Sequence, residues 1–241
     1  MNRVKTGIAG LDAMLYGGIP EGNQVILAGG PGAGKTLLGF EFLYRNAKEG
    51  NTCVFFSMEE DPQRVIENAK EAFSELTDID DLISQKKLII DGEDPATVIR
   101  GGAGGSTQYE FGKVVADIES VINSVKANRV VIDSLSIIDM LISDPIMYRR
   151  SMLAMISNLR RLGVTAILTS ELSNPEKLGQ EFKPEFFVFD GIIIMYEVGQ
   201  EDKRMLAMEV LKMRGTNHSF ATTPYEITPS GFNVIAAEGV L

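Results

Sequence analysis

Residues 24–36 read QVILAGGPGAGKT, and their interpretation decides the fold. QVILAG (24–29) is an unbroken apolar run of strand length, the pattern of a strand buried on both faces. A glycine turn follows, and then a helical pattern over 35–48. The segment GGPGAGKT (29–36) fits G-x-x-x-x-G-K-[ST], with Gly29, Gly34, Lys35 and Thr36 in the fixed positions. Glycines let such a loop wrap its backbone N–H groups around phosphates, the lysine neutralises their outer oxygens, and the threonine offers a hydroxyl to Mg²⁺. The helix behind the loop points the positive end of its dipole at the same anion. At an average glycine usage of about 7%, a chance match in a chain this long arises roughly once in a hundred. The strand–loop–helix context removes most of that chance. The candidate nucleotide-binding residues therefore run through Gly29, Gly30, Pro31, Gly32, Ala33, Gly34, Lys35, Thr36 and Leu37.

Outward from this loop the same rhythm recurs. CVFFSM (53–58), KLIID (87–91), RVVIDS (129–134) and VTAILTS (164–170) are strand-like. Helical patterns over 62–73, 112–126 and 146–161 lie between them. Apolar strands alternating with helices predict an α/β fold with a mostly parallel central sheet and helices on both faces. After residue 185 three strand-like segments, VFDGIIIMYEV, KRMLAMEVLKM and FATTPYEITPSGFNVI, follow with no helix between them. They predict an antiparallel C-terminal extension of the sheet rather than a second domain, so residues 1–241 read as one domain. RGGAGGSTQ (100–108) has no side chain large enough to bury much surface and reads as a mobile loop.

Two more stretches bear on chemistry. Asp133 ends an apolar strand, where open α/β sheets gather ligand residues, and with Thr36 it is the candidate Mg²⁺ pair. Glu59 and Glu60 follow the strand at 53–58. One of them is a candidate to position water for attack on a γ-phosphate, and the plain alternative is that both cap the next helix. Lys212, Arg214 and the single histidine, His218, fall within seven residues in LKMRGTNHS (211–219). Strand alternation places Lys212 and Arg214 on one side, and Gly215 allows a turn that brings His218 back towards them.

Composition narrows the classes. The formal net charge of −10 disfavours nucleic acid and anionic membrane as partners, without opposing a nucleotide held by its own local field. The one cysteine, Cys53, lies in an apolar run and reads as buried. The N-terminus lacks a signal-peptide core, and no apolar run reaches the ~18 residues of a membrane span. The expectation is a cytoplasmic protein. Met140, Met152 and Met155 read as core fillers, and Arg149, Arg150, Arg160 and Arg161 as solvated faces.

The assembled motifs resemble the KaiC-like branch of the RecA-type P-loop ATPases. TGIAGLDAMLYGGIPEG (6–22) looks like the branch's N-terminal signature. GGPGAGKT, the paired glutamates, VVIDSL and ILTSE follow in the family's order, and LKMRGTNH matches its late LK-x-RG-x-x-H block. The resemblance implies a RecA-like core assembled as a ring, usually a hexamer, with ATP/ADP and Mg²⁺ held between neighbours. It also implies Glu59 or Glu60 as the base, Ser170 or Glu171 as sensors of the nucleotide state, and Lys212, Arg214 and His218 reaching an adjacent subunit's γ-phosphate. The clock protein that names the family has two such domains, with a self-phosphorylated Ser–Thr pair where this chain has Phe186 and Phe187. Neither that modification nor a circadian role is expected. Three functions follow: an ATPase working at subunit interfaces and coupled to a partner protein, a nucleotide-gated scaffold with little turnover, or, less favoured by the charge, a recombinase-like DNA-binding ATPase.

Overall fold

The computed structural model describes residues 2–92, 107–142, 144–172, 184–200 and 203–235. Among these, nine strands form one sheet in the order β11-β10-β9-β8-β3-β7-β6-β4-β5. Six are parallel: β3 (Gln24–Gly29), β4 (Cys53–Ser57), β5 (Leu88–Gly92), β6 (Arg129–Asp133), β7 (Thr165–Glu171) and β8 (Gly191–Gln200). Next come β9 (Lys203–Met213), β10 (Thr223–Thr228) and β11 (Gly231–Val234), each antiparallel to the strand before it. The parallel sheet and its antiparallel extension are as the sequence predicts. The last predicted segment is in fact two strands, because Thr228, Pro229, Ser230 and Gly231 turn the chain back on itself. A two-stranded hairpin, β1 (Arg3–Val4) with β2 (Ile19–Pro20), brackets the short helix α1 (Ala9–Met14).

The apolar runs are continuous because the sheet is covered twice. Along β3, Val25 and Leu27 join one core while Ile26 and Ala28 join the other. Cys53 and Phe55 of β4 face the first core, and Val54 and Phe56 face the second. Helices α2 (Lys35–Lys48), α3 (Pro62–Ala72) and α4 (Ile79–Ser84) cover the first face. Helices α5 (Thr107–Val125), α6 (Leu135–Leu141) and α7 (Pro145–Leu162) cover the second.

Local chemistry sets the helix ends. Asp61 caps α3 by accepting the Gln63 N–H, with Pro62 in the first turn. Asp144 does the same for α7 through Met147, again followed by proline, and Gly163 ends that helix at φ 72°. Helix α5 begins at Thr107, earlier than the predicted 112. Most of the glycine-rich segment 100–108, and with it the expected mobile loop, lies outside the described residues. Met152 and Met155 are core residues as expected. Met140 is not: it is 71% exposed on short helix α6.

One buried charge ties the extension to the first core. Glu41, on α2, is 1% exposed. Its carboxylate accepts the Phe232 N–H at 2.7 Å and a two-pronged contact from Arg45 at 2.9 and 3.1 Å. Burial pushes its pKa up, and the Phe232 and Arg45 donors pull it back. Replacing Glu41 with alanine strips partners from a buried N–H and a guanidinium. The expected loss is about 3 kcal/mol, read as a lowered urea midpoint with an unchanged slope.

Candidate active site

The parallel strands deliver the candidate residues to one edge. Gly29 ends β3, Asp133 ends β6, Glu59 lies just past β4, and Glu171 ends β7. Gly34, at φ 90°, closes the loop and serves as N-cap of α2. A β-carbon there would stand 2.7 Å from Ile227 Cδ1 and 3.1 Å from Phe232 Cζ, so both conformation and space call for glycine. The first turn of α2 contains no acidic side chain. Leu38 N–H bonds to the Gly34 carbonyl. The N–H groups of Lys35, Thr36 and Leu37 precede the helix's own ladder and are available to an anion. Leu37 is partly buried with its side chain packed against the core, so its contribution is through the backbone. Gly32 has nothing within 4 Å of where a β-carbon would sit, which leaves open space over the loop.

Charge is concentrated on this edge. Lys35 donates to the Gly29 and Gly30 carbonyls at 3.1 and 3.0 Å. Burial lowers its pKa, while Glu171, Asp133 and Glu59 raise it. Asp133 is 3% exposed. One of its oxygens accepts the Thr36 hydroxyl at 2.8 Å and the other the Thr169 hydroxyl. Burial pushes the Asp133 carboxyl up, and the two threonines and Lys35 draw it down. One amine thus faces three carboxylates. A metal-free polyphosphate meets net repulsion here, and a divalent cation relieves it. Thr36 and Asp133 present adjacent hard oxygen donors, which suits Mg²⁺ carried in with phosphate oxygens.

The two glutamates part company. Glu59 accepts a hydrogen bond from Ser134, the neighbour of Asp133. Desolvation raises its pKa, Ser134 and Lys35 lower it, and Asp133 and Glu171 add to the rise. Glu60 turns the other way, and its carboxylate accepts from Asn68 of α3 at 2.9 Å. Only Glu59 joins the phosphate-loop cluster. Ser170 is buried and pairs with Ala28 in the sheet register, while the Glu171 N–H donates to Ser136 at 3.2 Å.

The late basic residues lie elsewhere. At the glycine-loop end Gly29 pairs with Met195, whereas Val25 pairs with Gly191 and Gly191 with Met213. Met213 therefore sits four residues, about 13 Å, back along the strand axis from the loop. Lys212 and Arg214 flank it. They share one side, as alternation predicts, because both donate to the Phe187 carbonyl, at 3.0 and 3.2 Å. Lys212 also donates to the Phe189 carbonyl at 2.7 Å. His218 does not turn back to them as expected. It is 7% exposed, with Nδ1 3.0 Å from the Ser219 carbonyl and its ring 4.7 Å from that of Phe220.

Sequence reasoning missed two supports. The Tyr225 hydroxyl, from β10, donates to the Ala33 carbonyl inside the glycine loop at 2.6 Å. The Arg3 guanidinium reaches Thr216 and the Leu15 and Gly18 carbonyls, which ties the N-terminal signature to the turn before His218. Neither contact has a signal in local sequence, since each joins segments about 200 residues apart.

A glycine loop between strand and helix, a threonine–aspartate pair beside it and a mostly parallel sheet define a RecA-like P-loop nucleotide-binding protein. Sequence comparison makes the assignment particular. A sequence model of the family described as "ATPase: KaiC" matches residues 4–239. The chain is 36% identical over 251 residues to a UPF0273 protein of Thermotoga maritima, covering 99% of this chain and 98% of that one. It is 32% identical over 240 residues to a UPF0273 protein of Aeropyrum pernix, covering 97% and 94%. It is also 33% identical over 229 residues to the circadian clock protein KaiC3 of a Synechocystis strain, covering 94% of this chain but 44% of KaiC3. The chain belongs to the KaiC ATPase family and spans less than half the length of that clock relative. Among the described residues, no helix is long and apolar enough to cross a membrane.

The Tyr225 contact generates a test. Tyr225→Phe deletes one hydrogen bond to the loop and leaves the ring packed. Nucleotide affinity is expected to weaken by about fivefold, equivalent to about 1 kcal/mol, in a titration with a fluorescent ATP analogue.

Proposed function

We propose that the protein hydrolyses Mg-ATP at boundaries between copies of itself in a ring, with a hexamer favoured. Gly29–Thr36 cradle the phosphates, and Thr36 and Asp133 would hold Mg²⁺, which would supply charge neutralisation on the phosphate oxygens. Glu59 orients and deprotonates the attacking water. Its elevated pKa suits that task, and Ser134 fixes its orientation. Ser170 and Glu171, beside the loop, register whether the outer phosphate is present. Lys212 and Arg214 of one copy stabilise charge developing on the nucleotide of the next. His218 would join them only with Phe220 swung aside. The protein would act in the cytoplasm and pass its nucleotide state to a partner protein, with no membrane or nucleic-acid role.

One observation carries this reading: the cations stand at the far end of the sheet from their own glycine loop. They cannot serve the nucleotide of their own chain. Beside them Phe187, whose carbonyl both donate to, is 53% exposed, an apolar side chain suited to cover by another protein surface.

Two measurements test it. Glu59→Gln is expected to lower kcat by at least about 100-fold with nucleotide binding intact, while Glu60→Gln retains most turnover. Equal losses from both would remove the assignment of the base. Mixing Lys35→Ala subunits with Arg214→Ala subunits should restore part of the activity that each lacks alone, because some boundaries then combine an intact loop with an intact arginine. An assembled mixture without activity would rule out sharing across the boundary. Turnover at background in the unmodified protein, with ATP-dependent assembly, would point instead to a nucleotide-gated scaffold.

A further inference from the structure

At the sheet end away from the glycine loop, one carboxylate meets three cations. Asp190 immediately precedes β8, and its side chain is 12% exposed. Its Oδ2 accepts the Gln24 N–H at 3.0 Å, at the start of β3. Its Oδ1 takes Arg160 from α7 at 2.7 Å, while the Arg214 guanidinium stands off at 3.6 Å. The first distance is a charge-assisted hydrogen bond and the second is not. Arg160 is exposed, as its sequence position suggests, with a side chain 40% accessible, and it nevertheless pairs with Asp190.

The contrast matters for Arg214. Its backbone is fixed, since its N–H donates to the Asp190 carbonyl at 2.8 Å and its own carbonyl accepts from Asn23 at 3.1 Å. Among the described residues its guanidinium hydrogen-bonds the neutral Phe187 carbonyl and stands at ion-pair distance, but not hydrogen-bond distance, from Asp190, and its side chain is 53% exposed. Arg160 already occupies Asp190 Oδ1 and the Gln24 N–H occupies Oδ2. With Lys212 alongside, the cluster holds three positive charges to one negative.

We infer that Arg160 is a positioning residue, which by hydrogen-bonding Asp190 Oδ1 competes with Arg214 for that oxygen and keeps the Arg214 guanidinium from closing onto it, available to an external polyphosphate. The inference rests on the reading that Arg214 serves the nucleotide of a second copy, and it adds a residue from outside the late basic block. Without Arg160, Arg214 is the nearest cation to a buried carboxylate. Closing that gap would trade a hydrogen bond to a neutral carbonyl for a charge-assisted one and withdraw the charge from the boundary.

The test is steady-state ATP hydrolysis by the assembled protein, with kcat and KM separated. Arg160→Gln is expected to lower kcat about tenfold with KM within about twofold, because the phosphates remain held by an unaltered loop. Arg160→Lys, which keeps a cation on Asp190, should retain most activity. Adding Asp190→Asn to Arg160→Gln should recover activity, since the competing charge is gone. Because Asp190→Asn also removes the unpaired buried charge that Arg160→Gln leaves, urea midpoints of both variants are compared, and a recovery of kcat that merely tracks a recovered midpoint overturns the positioning role. Full kcat in Arg160→Gln, with Arg214→Ala inactive, overturns the positioning role and leaves the shared site standing. A defect that neither Arg160→Lys nor Asp190→Asn relieves also overturns it. Full activity in Arg214→Ala overturns both readings.

Discussion

The burial of Asp133 constrains everything around the nucleotide edge. A carboxylate this far from water is tolerable only with its oxygens satisfied, and two threonine hydroxyls satisfy them. Thr36 comes from the first turn of α2 and Thr169 from β7, so one side chain fixes three elements against one another. That knot sets the distance from glycine loop to strand end and places Ser134, and through it Glu59, beside the phosphate space. The same excess of negative charge disfavours a bare anion at this edge, and under the proposed function a divalent cation would offset it.

The sheet has two chemically distinct ends. The carboxyl ends of the parallel strands gather acids around one amine, and the opposite end gathers cations around Asp190. β3 runs between them, beginning at the Gln24 N–H held by Asp190 and ending at Gly29. An acidic-edged nucleotide site and a basic patch on opposite ends cannot meet within one copy. In the proposed function they would meet between copies, which is why that proposal calls for an oligomer.

The legibility of the sequence varied with the physics. Strands β3, β4, β6 and β7 were plain because burial on both faces leaves uninterrupted apolar runs that nothing else explains. Helices α1, α4 and α6, of six or seven residues, are too short for periodicity to register and exist because the surrounding core holds them. The turn at Thr228–Gly231 carried Pro and Gly signals, yet the flanking strands read as one segment because each is brief. Met140 had helical spacing but ends on the outside, since spacing names a face without saying which face is covered.

For this protein the sequence by itself determined the phosphate loop, the aspartate at the end of β6, the acidic doublet and the parallel sheet with its antiparallel tail. Each of these is written in a contiguous run of residues whose types have one economical physical use. Tertiary structure alone decided that Glu59 and not Glu60 faces the loop, that Tyr225 braces Ala33, that His218 is buried under Phe220, and that Arg160 grips Asp190. The first, second and fourth of those outcomes depend on contacts between residues tens to hundreds of positions apart. Which of two neighbouring side chains turns inward is set by the partner waiting there, and local sequence does not record that partner.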